Sequence, residues 1–168
     1  MIPITDPDPE ADHGPSEATR LLRATDVARG VTRLLLRHDL VAMAEVPLDN
    51  GRRADLMAID SRGGIVIVEI KVSRADLLGD AKWPDYLAHA DRFFWAVPDG
   101  FDLAPFDHAA LLPDRTGLII ADRYDASVIR EAPVFALAAP ARKRNTLAFA
   151  RRAARRLILS IDPDAEAI

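Results

Sequence analysis

The sequence predicts an α/β sandwich around a mixed central sheet. Three observations predict it. Leucines and valines recur at helical spacing between Glu17 and His38. Three strand-like segments follow in quick succession, and the third, Ile65 to Val72, is a nearly unbroken β-branched run of the kind covered on both faces. A basic amphipathic stretch from Ala141 to Ser160 closes the chain.

The elements follow in order. Residues 1–15 carry Pro3, Pro7, Pro9 and Pro15 among few apolar residues, and their charges are all acidic, so they read as a disordered acidic tail. Residues 16–160 read as one domain. Ser16 is a plausible N-cap and Glu17 suits a first helical turn. Leu21, Leu22, Val27, Val31, Leu34 and Leu35 then mark a helix, in which Gly30 costs about 1 kcal/mol relative to Ala and signals a break or a close packing contact. Val41 to Leu48 reads as a strand ended by the Asp49-Asn50-Gly51 turn, and Ala54 to Ile59 as a second. After Ser61-Arg62-Gly63-Gly64 comes the third, Ile65 to Val72. A helix from about Ser73 to Ala90, interrupted near Pro84, leads to a fourth strand, Arg92 to Val97. Gly117 to Ala121 and Ser127 to Glu131 are two more. In the last helix Leu147, Phe149, Ala150, Ala154, Leu157 and Ile158 are expected to pack on the domain, with the arginines facing outward.

Composition narrows the function. The 168 residues include no cysteine, which excludes disulfides, thiolate zinc sites and a cysteine nucleophile, and fits a reducing cytoplasm. No apolar run approaches the ~20 residues of a membrane span. The acidic, proline-rich start matches neither a signal nor a transit peptide. The net charge of −4 speaks against a polyanionic partner, but its distribution speaks for one. Asp6, Asp8, Glu10, Asp12 and Glu17 stand at one end, and Arg142, Lys143, Arg144, Arg151, Arg152, Arg155 and Arg156 at the other. Gly-x-x-x-x-Gly-Lys, Gly-x-Ser-x-Gly and His-Glu-x-x-His are all missing, which removes the common competing enzyme classes.

Three polar residues interrupt strands that should be apolar: Asp55, Glu69 and Lys71. Strand alternation puts Glu69 and Lys71 on one face, and a hairpin over residues 52–72 brings Asp55 to the same end. Buried charges cost several kcal/mol each unless they pair or bind metal. A divalent oxygen-seeking ion, Mg²⁺ or Mn²⁺, held by Asp55 and Glu69 with the Ile70 carbonyl, satisfies that requirement, and Lys71 can neutralise charge developing on a phosphate.

Asp55, thirteen residues, then Glu69-Ile70-Lys71 resembles the PD-(D/E)XK nuclease signature, with Ala54 in place of its proline. The resemblance implies a restriction-endonuclease-like three-layer core, metal-dependent DNA hydrolysis by Asp55, Glu69 and Lys71, and a homodimer as one way to cut both strands. Lys82-Trp83-Pro84-Asp85-Tyr86 is similar to a Gln-x-x-x-Tyr helix motif of some of these nucleases, with Lys82 in the glutamine's place, and this implies DNA contacts by Lys82 and Tyr86. Arg53, beside Asp55, is a further candidate for phosphate contact. More narrowly, Gly51 to Arg156 resembles the MmcB family of bacterial DNA repair proteins. That resemblance is carried by Gly51-Arg52-Arg53-Ala54-Asp55, Val68-Glu69-Ile70-Lys71, Asp80-Ala81-Lys82-Trp83-Pro84-Asp85-Tyr86, Phe94-Trp95-Ala96-Val97-Pro98 and Thr116-Gly117-Leu118-Ile119-Ile120-Ala121-Asp122. It implies a role in repairing DNA.

Two matters stay open in the sequence. Glu17, Asp26 and Glu45 compete as a third carboxylate for the site. The same residues also admit a non-catalytic reading, a DNA-binding or partner-recruiting module on the same fold.

Overall fold

The computed structural model describes residues 17–167. The acidic segment 1–15 and the side chain of Glu17 lie outside the described residues. The elements run α1 (Glu17–Arg37), β1 (Leu40–Pro47), β2 (Arg53–Asp60), β3 (Ile65–Ile70), α2 (Arg74–Gly79), β4 (Arg92–Pro98), β5 (Thr116–Ala121), β6 (Ala126–Arg130) and α3 (Ala139–Ile161). Short 3-10 turns fill Trp83–Ala88, Ala104–Asp107, Ala109–Leu111 and Pro163–Ala167.

The strands form one six-stranded sheet in chain order. β1, β2 and β3 are antiparallel, β3, β4 and β5 are parallel, and β6 returns antiparallel on the far edge. Parallel pairing requires long crossovers, and the β3-to-β4 and β4-to-β5 connections are filled by short helical segments. Every residue of β3 is buried, as its apolar run predicts.

Alternation divides the sheet's side chains between two cores. Leu56, Ala58, Val66, Val68, Phe94 and Ala96 face α1, whose Val27, Val31, Leu34 and Leu35 cover them. Ile65, Ile67, Phe93, Trp95, Val97 and Leu118 face the other side, under Leu77, Trp83, Tyr86 and Phe106. Trp95 is at the centre, edge-on to Phe93 at 4.9 Å and to Trp83 at 5.1 Å between ring centroids. Gly30 is a packing glycine. A Cβ there would stand 2.1 Å from the carbonyl oxygen of Asp122, so α1 lies against the β5–β6 turn with no room for a side chain.

Two sequence expectations are corrected. The helix over residues 73–90 is instead a six-residue α2 followed by a 3-10 turn. The expected interruption comes earlier than Pro84: α2 ends at Gly79, where Asp80 leaves helical backbone (φ −92°, ψ 67°), and Pro84 sits in the first turn of the 3-10 segment, where its missing N–H costs no hydrogen bond. The second correction concerns α3, which turns its apolar row away from the sheet. Leu147, Leu157 and Ile161 are 53%, 61% and 77% exposed. The row that meets the domain is Asn145, Phe149 and Arg156. Tertiary bonds choose this face. Arg142 grips Asp91 with both terminal nitrogens, at 2.7 and 2.6 Å, and Asn145 donates to the His89 carbonyl at 3.0 Å.

Candidate active site

The last pair of the β2–β3 ladder is Leu56↔Val68. Beyond it the strands stop exchanging backbone hydrogen bonds, and two side chains take over as acceptors. Asp55 Oδ2 accepts the Ile70 N–H at 2.7 Å, and Glu69 Oε1 accepts the Asp55 N–H at 3.1 Å. The two carboxylates therefore cap each other's strands and are fixed by the backbone. Burial pushes the Glu69 carboxyl up to about 8, and the Asp55 charge adds to this more than the backbone bond takes away. Burial also raises Asp55, against the Ile70 N–H and the Lys71 charge.

Lys71 follows immediately after β3, its N–H bonded to the Ala96 carbonyl at 2.9 Å. Its ammonium, 7% exposed, meets Asp80 at 2.8 Å and Asp76 at 4.0 Å, and lies 5.8 Å from the Trp95 ring centroid. Burial pulls its proton affinity down, but the Asp80 bond and the charges of Asp76, Asp80 and Glu69 outweigh it, and the ammonium ends above its ordinary value.

The strand alternation breaks beside this cluster. Met43 and Val46, three residues apart, face the same core, and so do Ala54 and Met57. Between the first two lies Glu45, with φ +56°, a left-handed conformation uncommon outside glycine. The exposed Glu45 side chain pairs with Arg53, and its backbone carbonyl accepts Arg156 Nη2 at 3.3 Å. Of the other carboxylates considered, Asp26 is occupied 3.0 Å from Arg123, on α1 against the β5–β6 turn.

The structure keeps Arg53 and Lys82 on the surface but not Tyr86. The Tyr86 ring is buried against Phe93, and its hydroxyl donates to the Arg53 carbonyl at 3.1 Å. Burial and the Glu69, Asp80 and Asp55 charges raise the phenol, keeping it a donor. Tyr86 thus braces the β2 strand beside Asp55, with its ring buried rather than presented to solvent. Arg52 is taken up by Asp85 at 3.1 Å.

The model of the family described as DNA repair protein MmcB-like matches residues 7–164. The chain belongs to this family. It is also similar to a solved structure, a protein of unknown function from Silicibacter pomeroyi. The two are 44% identical with a TM-score of 0.76, over 84% of this chain and 93% of that one. No curated protein matches the chain. Membership in a DNA repair family implies a role with DNA, and no helix among the described residues is long and apolar enough to cross a membrane.

In this MmcB-like chain the sequence reading missed Asp76 and Asp80. Ser73-x-x-Asp76 carries the signal of a helix start: Ser73 Oγ accepts the Asp76 N–H at 3.1 Å, and Asp76 accepts back from Val72 N–H. That cap swings α2 over the end of β3 and delivers Asp80, at its C-terminus, to Lys71. A cavity of about 500 Å³, lined by apolar side chains together with Asp60, Asp91 and Arg142, lies at the opposite ends of β3 and β4, beside Val66 and Phe94, and shares no residue with the carboxylate cluster.

Proposed function

We propose that the chain hydrolyses DNA phosphodiester bonds with a divalent cation, Mg²⁺ or Mn²⁺, on a core of the PD-(D/E)XK type. One observation carries the reading: the half-buried Asp55 and the buried Glu69 meet at the splayed end of β2 and β3, each held by a backbone N–H and each raised in proton affinity. Two such carboxylates repel one another, and a cation between them relieves both the repulsion and the desolvation.

The donor set fits a hard divalent ion. Among the described residues no group of three or more Asp, Glu or His forms a metal-holding cluster. Mg²⁺ commonly takes one or two carboxylates and fills its remaining positions with water and substrate phosphate. Asp55 and Glu69 would hold the ion through their carboxylate oxygens. When bound, it supplies Lewis acidity to a phosphate and acidifies a coordinated water. Lys71 contributes a fixed positive charge for the phosphate, and Tyr86 keeps the Asp55 strand in place.

The test is calorimetric titration of Mg²⁺ and Mn²⁺ into the wild type and Glu69→Ala, followed by cleavage assays on labelled DNA. Binding in the wild type that disappears in Glu69→Ala supports the reading. No binding to the wild type with DNA present defeats it.

One observation favours a second reading, a non-catalytic DNA-binding or partner-recruiting repair module. Lys71 is already neutralised by Asp80 and Asp76. On that reading the wild type binds DNA, and Mg²⁺ adds neither heat nor cleavage.

A further inference from the structure

Far from the carboxylates, the α1 side of the sheet does not close. A cavity of about 500 Å³ opens there between the end of α1, the starts of β3 and β4, the β5–β6 pair and the segment that leads into α3. Its floor is core, since Leu34, Leu35, Ile65, Phe94 and Ile119 are all buried, while Val134 at its mouth is 57% exposed. The volume falls within the roughly 300–1,000 Å³ of small-molecule sites, which combine apolar walls with a few convergent polar groups.

Fixed bonds hold the wall. Arg142 Nη1 donates to the Gly63 carbonyl at 2.6 Å and to Asp91 Oδ2 at 2.7 Å, tying the β2–β3 turn to the start of β4. Arg62 and Arg92 are the chain neighbours of these two acceptors, so one guanidinium sets both of them at the same rim. Arg92 also stands two residues before Phe94 on β4, on the same face of the sheet.

The charges of the lining balance in number, three arginines against Asp60, Asp91 and Glu131, but the hydrogen bonds do not. Asp91 is filled by Arg142 and two backbone N–H groups. Asp60 Oδ1 accepts the Arg62 N–H at 2.8 Å and the Gly64 N–H at 2.7 Å. Among the described residues, the guanidiniums of Arg62 and Arg92 have no hydrogen-bond or ion-pair partner, and Glu131 is the one lining acid in the same state. The rim therefore holds more free donors than acceptors, and forked guanidinium donors suit a carboxylate.

We propose that this cavity binds a small amphiphile with an aliphatic body and an anionic head, of the class of a medium-chain fatty acid. The body lies among Leu35, Ile65, Phe94 and Val128, and the head meets Arg62 and Arg92. The site is independent of the proposed action on DNA.

Calorimetry on the full chain tests it, with octanoate, octanol and octylamine titrated below their micelle-forming concentrations. The wild type is compared with Arg62→Gln/Arg92→Gln, which alters only exposed side chains, and with Val128→Phe. Val128 is half-buried opposite Ile119 in the β5–β6 ladder, so the larger ring fills the cavity, and circular dichroism checks that the variants fold. The wild type should prefer octanoate to octylamine. The arginine variant should bind octanoate about tenfold more weakly and octanol equally, since it loses charge-assisted bonds and no apolar wall. Folded Val128→Phe should lose at least about tenfold for both octanoate and octanol. A wild type that binds no octanoate, or that prefers octylamine, overturns the proposal. So does an arginine variant with unchanged octanoate affinity, or a folded Val128→Phe that binds as the wild type does. If Val128→Phe does not fold, the arginine variant decides alone.

Discussion

Asp91 and Glu69 are acids buried on the same sheet, and the protein treats them in opposite ways. Asp91, just before β4, accepts from Arg142 twice, from the Ile65 N–H at 2.8 Å and from the Leu137 N–H at 2.8 Å. Burial alone would raise its proton affinity, but the Arg142 and backbone bonds win and hold the carboxyl below its usual range. Glu69 has one backbone N–H and another carboxylate for company, and burial wins. A buried acid with a structural task is fully compensated. One left short of compensation retains electrostatic demand, which is the mark of a functional site.

The contrast breaks most sharply at Asp55. Asp55→Ala should lower DNA cleavage by more than about 100-fold while leaving DNA affinity within a few-fold, since the change removes a proposed ion ligand and touches no cationic surface. Cleavage that survives would return Asp55 to the structural class of Asp91. The converse variant, Asp91→Ala, should leave metal affinity intact but cost about 3–5 kcal/mol of stability, because it strands the Arg142 guanidinium and two backbone N–H groups. Urea unfolding measures this, and a loss below about 1 kcal/mol would show that the α3 latch is unimportant.

Glu69→Gln sharpens the comparison with pH. In the folded protein Glu69 titrates near 8, above its ordinary 4.5, so the folded state holds the proton more tightly than the unfolded chain. Its contribution to stability is complete below about pH 4.5 and declines as pH rises towards 8. Glutamine cannot titrate, so the metal-free variant should lose this decline and melt higher than the wild type at pH 9. The same protonation predicts that Mg²⁺ binding at pH 7 releases about one proton in the wild type, fading above pH 8. Calorimetry in buffers of different ionisation enthalpy reads that release. Parallel pH–stability curves for the two proteins would remove Glu69 from the argument.

Much of this was legible in the sequence, and the remainder was not for definable reasons. β1 to β6 lie within about two residues of their expected bounds, because β-branched runs between turn residues are local signals. The neighbourhood of Asp55 and Glu69 was legible for the same reason, two charges breaking apolar strands across one hairpin. An interruption of the 73–90 helix was legible at Pro84, but the end of α2 at Gly79, five residues earlier, was not. Amphipathicity identified the apolar row of α3 but not which row is covered, and the Asp91–Arg142 and His89–Asn145 bonds decide that from 51 or more residues away. The burial of Tyr86 and the left-handed backbone at Glu45 are likewise tertiary facts with no local signature.

Lys71 stands between the two kinds of site: ion-paired like Asp91's partner Arg142, yet next to the under-compensated pair. Asp80 decides which role prevails. Asp80→Asn keeps the shape and a hydrogen-bonding group but removes the charge 2.8 Å from the ammonium, leaving Asp76 at 4.0 Å as its nearest ion-pair partner. If Asp80 sets the position of Lys71 for a phosphate, kcat should fall roughly tenfold with KM nearly unchanged, and Asp80→Glu should recover part of it. Stability should drop by only about 1.5–3 kcal/mol, the value of a hydrogen bond to a charged group. A variant that loses this stability but keeps kcat would place Asp80 and Lys71 with Asp91 and Arg142, as a clamp that holds α2 to the sheet.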